Sequence, residues 1–275
     1  MAIFRSVVIF LLVVHASGLS AQTIRFPNNV PPLGKRTFAY KSTSLVSSDF
    51  NPKVMDSNYL ANTARVDSYD FDHQAGIARI LHVTIIEEKK ATTTPGGVSY
   101  VHGPVVGRDY FIRRSKERPC IIYKKTDVPI LKNEKQYLTD EYSKYLWDEV
   151  MWGIVKGRTL EMGEQYKLQP EEVGRLPLRS KIDTLKGPIT LTMIGYDDSI
   201  ESSLILELSL SYKTLGESEM LRSTGQHVLK MIIDYKTCRL IRLKEEYEKT
   251  NYAKEIMTEY FTQVVREVVV TWEES

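Results

Sequence analysis

The chain is short of cysteine, carries no excess charge of either sign, and has no apolar run long enough to cross a bilayer. Two cysteines in 275 residues exclude a disulfide-dense miniature scaffold and a Cys-rich zinc module. Thirty-seven Lys and Arg stand against 35 Asp and Glu, a formal charge of +2. That balance excludes a strongly basic nucleic-acid binder and an acidic tail protein, so no nucleic-acid partner is expected. The Gly-x-Ser-x-Gly elbow, the P-loop and the Gly-x-Gly-x-x-Gly turn are missing. Beyond the first twenty-one residues the histidines are His73, His82, His102 and His227, and none has metal-ligand spacing. Neither metal nor cofactor is expected, and the chain reads as a non-enzyme.

The opening segment has a clear character. Arg5 supplies positive charge, residues 7–14 are apolar, and Ala16, Ser17, Gly18, Ser20 and Ala21 are small. This is the pattern of a secretory signal peptide over residues 1–21, with cleavage after Ala21 or after Gly18. The apolar stretch is far below the about 20 residues that a membrane helix needs. The mature chain is therefore expected to be exported, periplasmic or extracellular, with no transmembrane segment. No cysteine closes the segment, which excludes lipid attachment there. No Asn-x-Ser/Thr sequon occurs either, which leans toward a bacterial exported protein.

A hydrophobic content of 42% with 10% aromatics excludes a disordered chain. Residues 22–35 read as irregular, because Pro27, Asn28, Asn29, Pro31, Pro32 and Gly34 interrupt regular structure. Residues 36–275 read as a single β-rich domain. A hairpin turns across Asp72-His73-Gln74-Ala75. Leu204, Leu206, Leu208, Leu210 and Tyr212 alternate with polar residues, as do Leu229, Met231, Ile233 and Tyr235, which marks strands with one face buried and one wet. The exception lies near 134–156. There Leu138, Tyr142, Tyr145, Leu146 and Val150 recur at helical spacing, with Asn133 as a cap, Gln136 reaching back, and Gly153 or Gly157 as a stop. The expected fold is mainly β (α+β): a strongly curved antiparallel meander or half-barrel with one packed central helix.

Three groups of residues are candidates for chemistry. The helix carries Tyr145, Leu146, Trp147 and Trp152, more aromatic surface than one face uses, and could line an apolar cavity; the plainer reading is core packing. Arg113, Arg114, Lys116 and Arg118 belong to a basic hairpin that could contact anions; the plainer reading is a solvated strand edge. Cys120 and Cys238 could form a disulfide in an oxidising compartment, worth on the order of 4 kcal/mol; the alternative is two unpaired thiols. Acidic doublets such as Glu245-Glu246 point to opposite faces of a strand and make no catalytic pair.

The stretch Gly225-Gln226-His227-Val228, followed by Ile233-Asp234-Tyr235-Lys236-Thr237-Cys238-Arg239-Leu240, resembles a strand, Asp-x-x-Thr-Gly, strand hairpin. Such hairpins are frequent in secreted bacterial half-barrel proteins, the lipoprotein-carrier (LolA-like) group and uncharacterised relatives. Here Cys238 stands where glycine would give the turn its left-handed residue. The resemblance implies a half-barrel architecture and carries over no binding residue. Together these readings point to an exported, non-enzymatic protein binding an apolar or lipidic ligand between sheet and helix. The alternatives are an envelope interaction or structural protein binding a protein or glycan partner, and a hydrolase whose site is assembled from scattered residues.

Overall fold

The computed structural model describes residues 23–28, 31, 33–48, 51–94, 96–102, 105–114, 121–124, 129–173, 175–176, 183–196, 205–217, 221–255 and 258–273. Residues 1–21, expected to be a signal peptide, and Lys116, Arg118 and Cys120 lie outside them. Fourteen strands are present among these residues: β1 (Thr23–Arg25), β2 (Gly34–Ser48), β3 (Asn51–Asp72), β4 (Ile77–Thr94), β5 (Gly97–His102), β6 (Asp109–Arg113), β7 (Ile121–Lys124), β8 (Thr159–Glu161), β9 (Gln165–Lys167), β10 (Asp183–Tyr196), β11 (Ile205–Glu217), β12 (Leu221–Asp234), β13 (Arg239–Ala253) and β14 (Thr258–Trp272). The helices are α1 (Lys132–Tyr142), α2 (Trp147–Val155) and the single turn α3 (Pro170–Val173).

Twelve strands form one sheet in the order β7-β6-β4-β3-β2-β14-β13-β12-β11-β10-β9, with β5 paired to β4. Among the described residues the strands of this sheet pair antiparallel throughout, and the two ends of that order do not meet. The expectation of a mainly antiparallel β fold holds. The short strand β1 pairs with β8, so the segment expected to be irregular contributes a strand of its own. It reaches this partner because Ile24 and Phe26 are buried in the main core, which outweighs the surrounding prolines.

The alternation that marks strands also sets the core. Leu229, Met231 and Ile233 are all fully buried, and on the neighbouring strand Leu243 lies opposite Met231. The side chains of 205–212 lie outside the described residues, so the matching leucine row on β11 is known only by its register. One cluster joins Val150, Met151, Trp152, Ile154 and Val155 of α2 to β10 and β12–β14. A second joins Leu138 and Tyr142 of α1 to β3, β4 and β6. Phe38 and Phe71 pack against both, so the two clusters share one face of the sheet. Eleven and nine residues give helices of about 16 and 14 Å, whereas the 22 residues of β3 extend roughly 70 Å. Those two helices therefore cover one end of that face.

The helix expected over 134–156 is present in two arms, broken between Tyr142 and Trp147. α1 starts at Lys132, and its cap is Leu131 rather than Asn133. Glu134, not Gln136, reaches back to the Leu131 N–H at 2.9 Å. α2 repeats the device, with Leu146 as the extended cap residue and Glu149 accepting its N–H at 2.8 Å. Gly157, one of the two expected stops, follows α2 with φ +65°; Asn28 Oδ1 lies only 1.8 Å from where a Cβ would stand.

The β12–β13 turn takes the form its sequence suggests. Cys238 has φ +53°, the left-handed region that glycine favours, and its side chain is fully buried. Burial, then the Asp234 carboxylate, push the thiol up to about 12. Asp234 accepts the Lys236 N–H and the Thr237 hydroxyl at 2.9 and 2.8 Å, closing the turn. Glycine at 238 relieves backbone strain of about 1 kcal/mol that alanine retains, and both lose the same buried sulfur. Cys238→Gly is thus expected to unfold at higher urea than Cys238→Ala; the reverse order would show that the left-handed conformation costs nothing here.

Candidate functional site

The four helix residues singled out by sequence are not gathered round one space. Trp152 points into the sheet, 1% exposed, edge-on to Phe71 at 4.9 Å and under the Lys156 ammonium at 4.3 Å. Its Nε1–H finds no hydrogen-bond partner among the described residues. Trp147 and Tyr145 pack on the rim of the same cluster, Tyr145 donating its hydroxyl to Ala75 O at 2.7 Å. Leu146, in the break, belongs to the second cluster. Of the basic hairpin, Arg113 is exposed while Arg114 is 2% exposed beneath the sheet, so the structure does not bring these two guanidinium groups together.

Arg114 instead pins a helix. Its Nη2 bonds Glu149 Oε1, its Nη1 donates to Glu149 Oε2 at 3.1 Å and Lys144 O at 2.8 Å, and its Nε donates to Ala78 O at 3.0 Å. Arg108 and Tyr110 bond Glu134 of α1 in the same way, at 3.0 and 2.5 Å. Arg158 holds Glu172, which in turn accepts the Gln169 N–H in front of α3 at 2.7 Å. All three helices thus carry a glutamate in the first turn that caps the backbone and takes an arginine from outside the helix. The negative side chain suits the positive end of the helix, and each carboxylate finds its counter-charge.

Asp148 adds a fourth pin, its Oδ2 lying 2.6 Å from Arg36 Nε with both side chains fully buried. Burial lifts the Asp148 carboxyl to about 6, and Arg36 pulls against that shift. A carboxyl raised in the folded state contributes stability that is complete below its unfolded value near 4 and declines as pH rises through 6. The unfolding free energy of the natural chain minus that of Asp148→Asn is expected to fall between pH 4 and pH 6.5. A difference that grows over this range would contradict the assignment.

A charged network that sequence reasoning missed lies on the helix-bearing face. His227 of β12 has Nδ1 3.1 Å from Glu245 Oε1 of β13 and Nε2 3.3 Å from Thr214 Oγ1 of β11. Glu245 accepts a second bond from Arg266 Nη1 of β14 at 2.7 Å. The Tyr247 ring stacks on His227 at 4.7 Å and lies 4.8 Å from the Arg266 guanidinium carbon. With a carboxylate as acceptor, Nδ1 carries the proton, and in the neutral ring Nε2 accepts from Thr214. Hydroxyl, imidazole and carboxylate stand in the order of a nucleophile relay, with Thr214 buried at 5% exposure. Arg266, 7% exposed, leaves its Nε without a hydrogen-bond partner among the described residues.

The network follows directly on the apolar rows. Leu229 lies opposite Glu245, and Glu245 opposite Arg266. Two residues further along, Met231, Leu243 and Val268 continue the same rows and are all at most 2% exposed. The signal was legible as parity: His227 keeps step with Leu229 and Met231, Glu245 with Leu243, and Arg266 with Val264 and Val268. Alternation along one strand cannot say that the three meet, because that depends on register across strands.

No protein-family model and no curated protein sequence matches the chain. Among solved structures, it is similar to a lipovitellin chain studied for its lipid–protein interactions, with a TM-score of 0.40 and 9% identity over 88% of this chain. This chain spans about a quarter of that one, 26% of its length. Among the described residues no helix is long and apolar enough to cross a membrane.

Proposed function

We propose that this is an exported, non-enzymatic carrier of an amphipathic lipid, held on the helix-bearing face of the sheet. The observation that carries the reading is the boundary at Arg266. A buried guanidinium with an unpartnered N–H stands one register step from a wall of fully buried aliphatic side chains. An unpartnered buried donor costs on the order of 1–3 kcal/mol, which a polar headgroup accepting from Arg266 Nε would recover. The acyl chain would enter between α2 and the Leu229, Leu243 and Val268 rows, which α2 already buries, and its own apolar surface leaving water would supply about 25 cal/mol per Å². Trp152 and the rim aromatics Tyr145 and Trp147 would form the cover. The outline resemblance to the lipoprotein-carrier group agrees with this role.

Native mass spectrometry of gently purified protein, followed by organic extraction, tests it. The expected result is a discrete added mass that disappears on extraction and is recovered as one lipid class. Repeated recovery of an empty chain, or of a stoichiometric protein partner without extractable lipid, would overturn it.

A further inference from the structure

The face opposite the helices carries a polar pocket that the carrier reading does not use. Val66, Val83 and Tyr110 are fully buried toward the helices, so the residues between them project to the other side. Register gathers those residues into two rows. Lys35 of β2 lies opposite Asp67 of β3, Asp67 opposite His82 of β4, and His82 opposite Phe111 of β6. In the next row Arg65 lies opposite Thr84, and Thr84 opposite Asp109. A cavity of about 360 Å³ opens over these side chains, closed on one flank by Glu273, which holds Arg65 at 3.1 Å.

The pocket is polar, within the size range of small-molecule sites, and has two unlike ends. At the β4–β6 end, Asp109 accepts the Thr84 hydroxyl, and the buried His82 Nε2 has no hydrogen-bond partner among the described residues. Asp109 Oδ1, its nearest counter-charge, is 3.6 Å away, beyond hydrogen-bond reach. Phe111, 39% exposed, stacks on His82 at 4.7 Å and holds that ring in place beside the pocket. At the β2–β3 end stand Arg65 and the exposed Lys35. Asp67 lies in the floor between them, 7% exposed, accepting the Tyr69 hydroxyl. Arg65 and Asp109 are two strand spacings apart, roughly 10 Å between backbones.

We propose that this pocket binds a small zwitterion, its primary ammonium between His82 and Asp109 and its anionic group at Arg65 and Lys35. A primary ammonium supplies N–H donors to a carboxylate and an imidazole nitrogen. The cationic end accepts a carboxylate, with Arg65 offering a planar fork. A ligand with one charge alone satisfies half of the site. The site is separate from the carrier face, because the sheet lies between the two, so either reading can fail without the other.

The test is an amide ¹H–¹⁵N titration of the full mature chain with 4-aminobutanoate, and with butylamine and butanoate as single-charge controls. Expected are saturable shifts centred on His82, Thr84 and Asp109, with the zwitterion binding at least tenfold more tightly than either control. Asp109→Asn is expected to weaken 4-aminobutanoate at least tenfold. Lys35→Ala, on the exposed rim where folding is not at stake, is expected to weaken it severalfold and leave butylamine unchanged. Absence of saturable shifts at these amides, equal affinity for all three compounds, or unaltered binding in Lys35→Ala would overturn the proposal.

Discussion

Replacing Glu149 by alanine is expected to cost about 3–5 kcal/mol of folding stability, the range for breaking one partner out of a buried ion pair. For a chain of this size that lowers the melting temperature by about 10 °C. The effect is large because one carboxylate serves three neighbours. It caps α2 at the Leu146 N–H, accepts the Ala78 N–H of β4 at 2.7 Å, and neutralises Arg114. Without it the Arg114 guanidinium, 2% exposed, keeps its two backbone carbonyls but loses its carboxylate counter-charge. If the loss comes from that stranded charge, adding Arg114→Met to Glu149→Leu should restore a good part of it, since an apolar pair of similar volume avoids the desolvation cost. Urea unfolding of the single and double variants measures this. A loss below about 1 kcal/mol for Glu149→Ala would mean that α2 is held by packing alone.

Trp152→Ala is expected to cost a similar amount, about 3–5 kcal/mol, through lost burial and the void left behind. The indole is 1% exposed and sits between Phe71 and Lys156, so neither neighbour can close the gap without leaving its own contact. Trp152→Phe keeps a ring against Phe71 and should cost less than half as much. Thermal unfolding followed by circular dichroism separates the two. Equal, small effects would mean that α2 does not cover the sheet as firmly as its burial implies.

How much of this was written in the sequence differs from element to element. The inner half of β12 was legible, because Leu229, Met231 and Ile233 form an apolar row and all three are buried; Tyr235, the fourth residue of that row, lies past the strand's end at Asp234. The turn at Cys238 was half legible: the sequence marked the position as one glycine would fill, but a cysteine there left the geometry open, and the structure places it at φ +53°. The break between the two helix arms was not. Leu138 and Tyr142 belong to one arm and Leu146 and Val150 to the other, yet their spacing runs through the gap unchanged. What ends the first arm and restarts the second is tertiary: Arg114 takes the Lys144 carbonyl, and Glu149 takes the Leu146 N–H.

The candidate site shows the same division. The aromatic side chains of the helix were legible as a group, but which of them enters the sheet was not. Arg114 was grouped with Arg113 as surface charge, although Tyr110, Ile112 and Arg114 share the inward parity. The His227, Glu245 and Arg266 network required register across three strands, which a single sequence does not reveal.

All three tryptophans of the chain lie in or against the cluster on the helix-bearing face, which makes their fluorescence a direct reporter of that site. The decisive measurement is quenching by brominated fatty acyl lipid, added to protein first stripped by organic extraction. Bound where we propose, the lipid quenches tryptophan emission saturably, near one equivalent, and unbrominated lipid competes the effect away. Emission that stays unchanged while the protein remains folded would contradict a lipid held on this face.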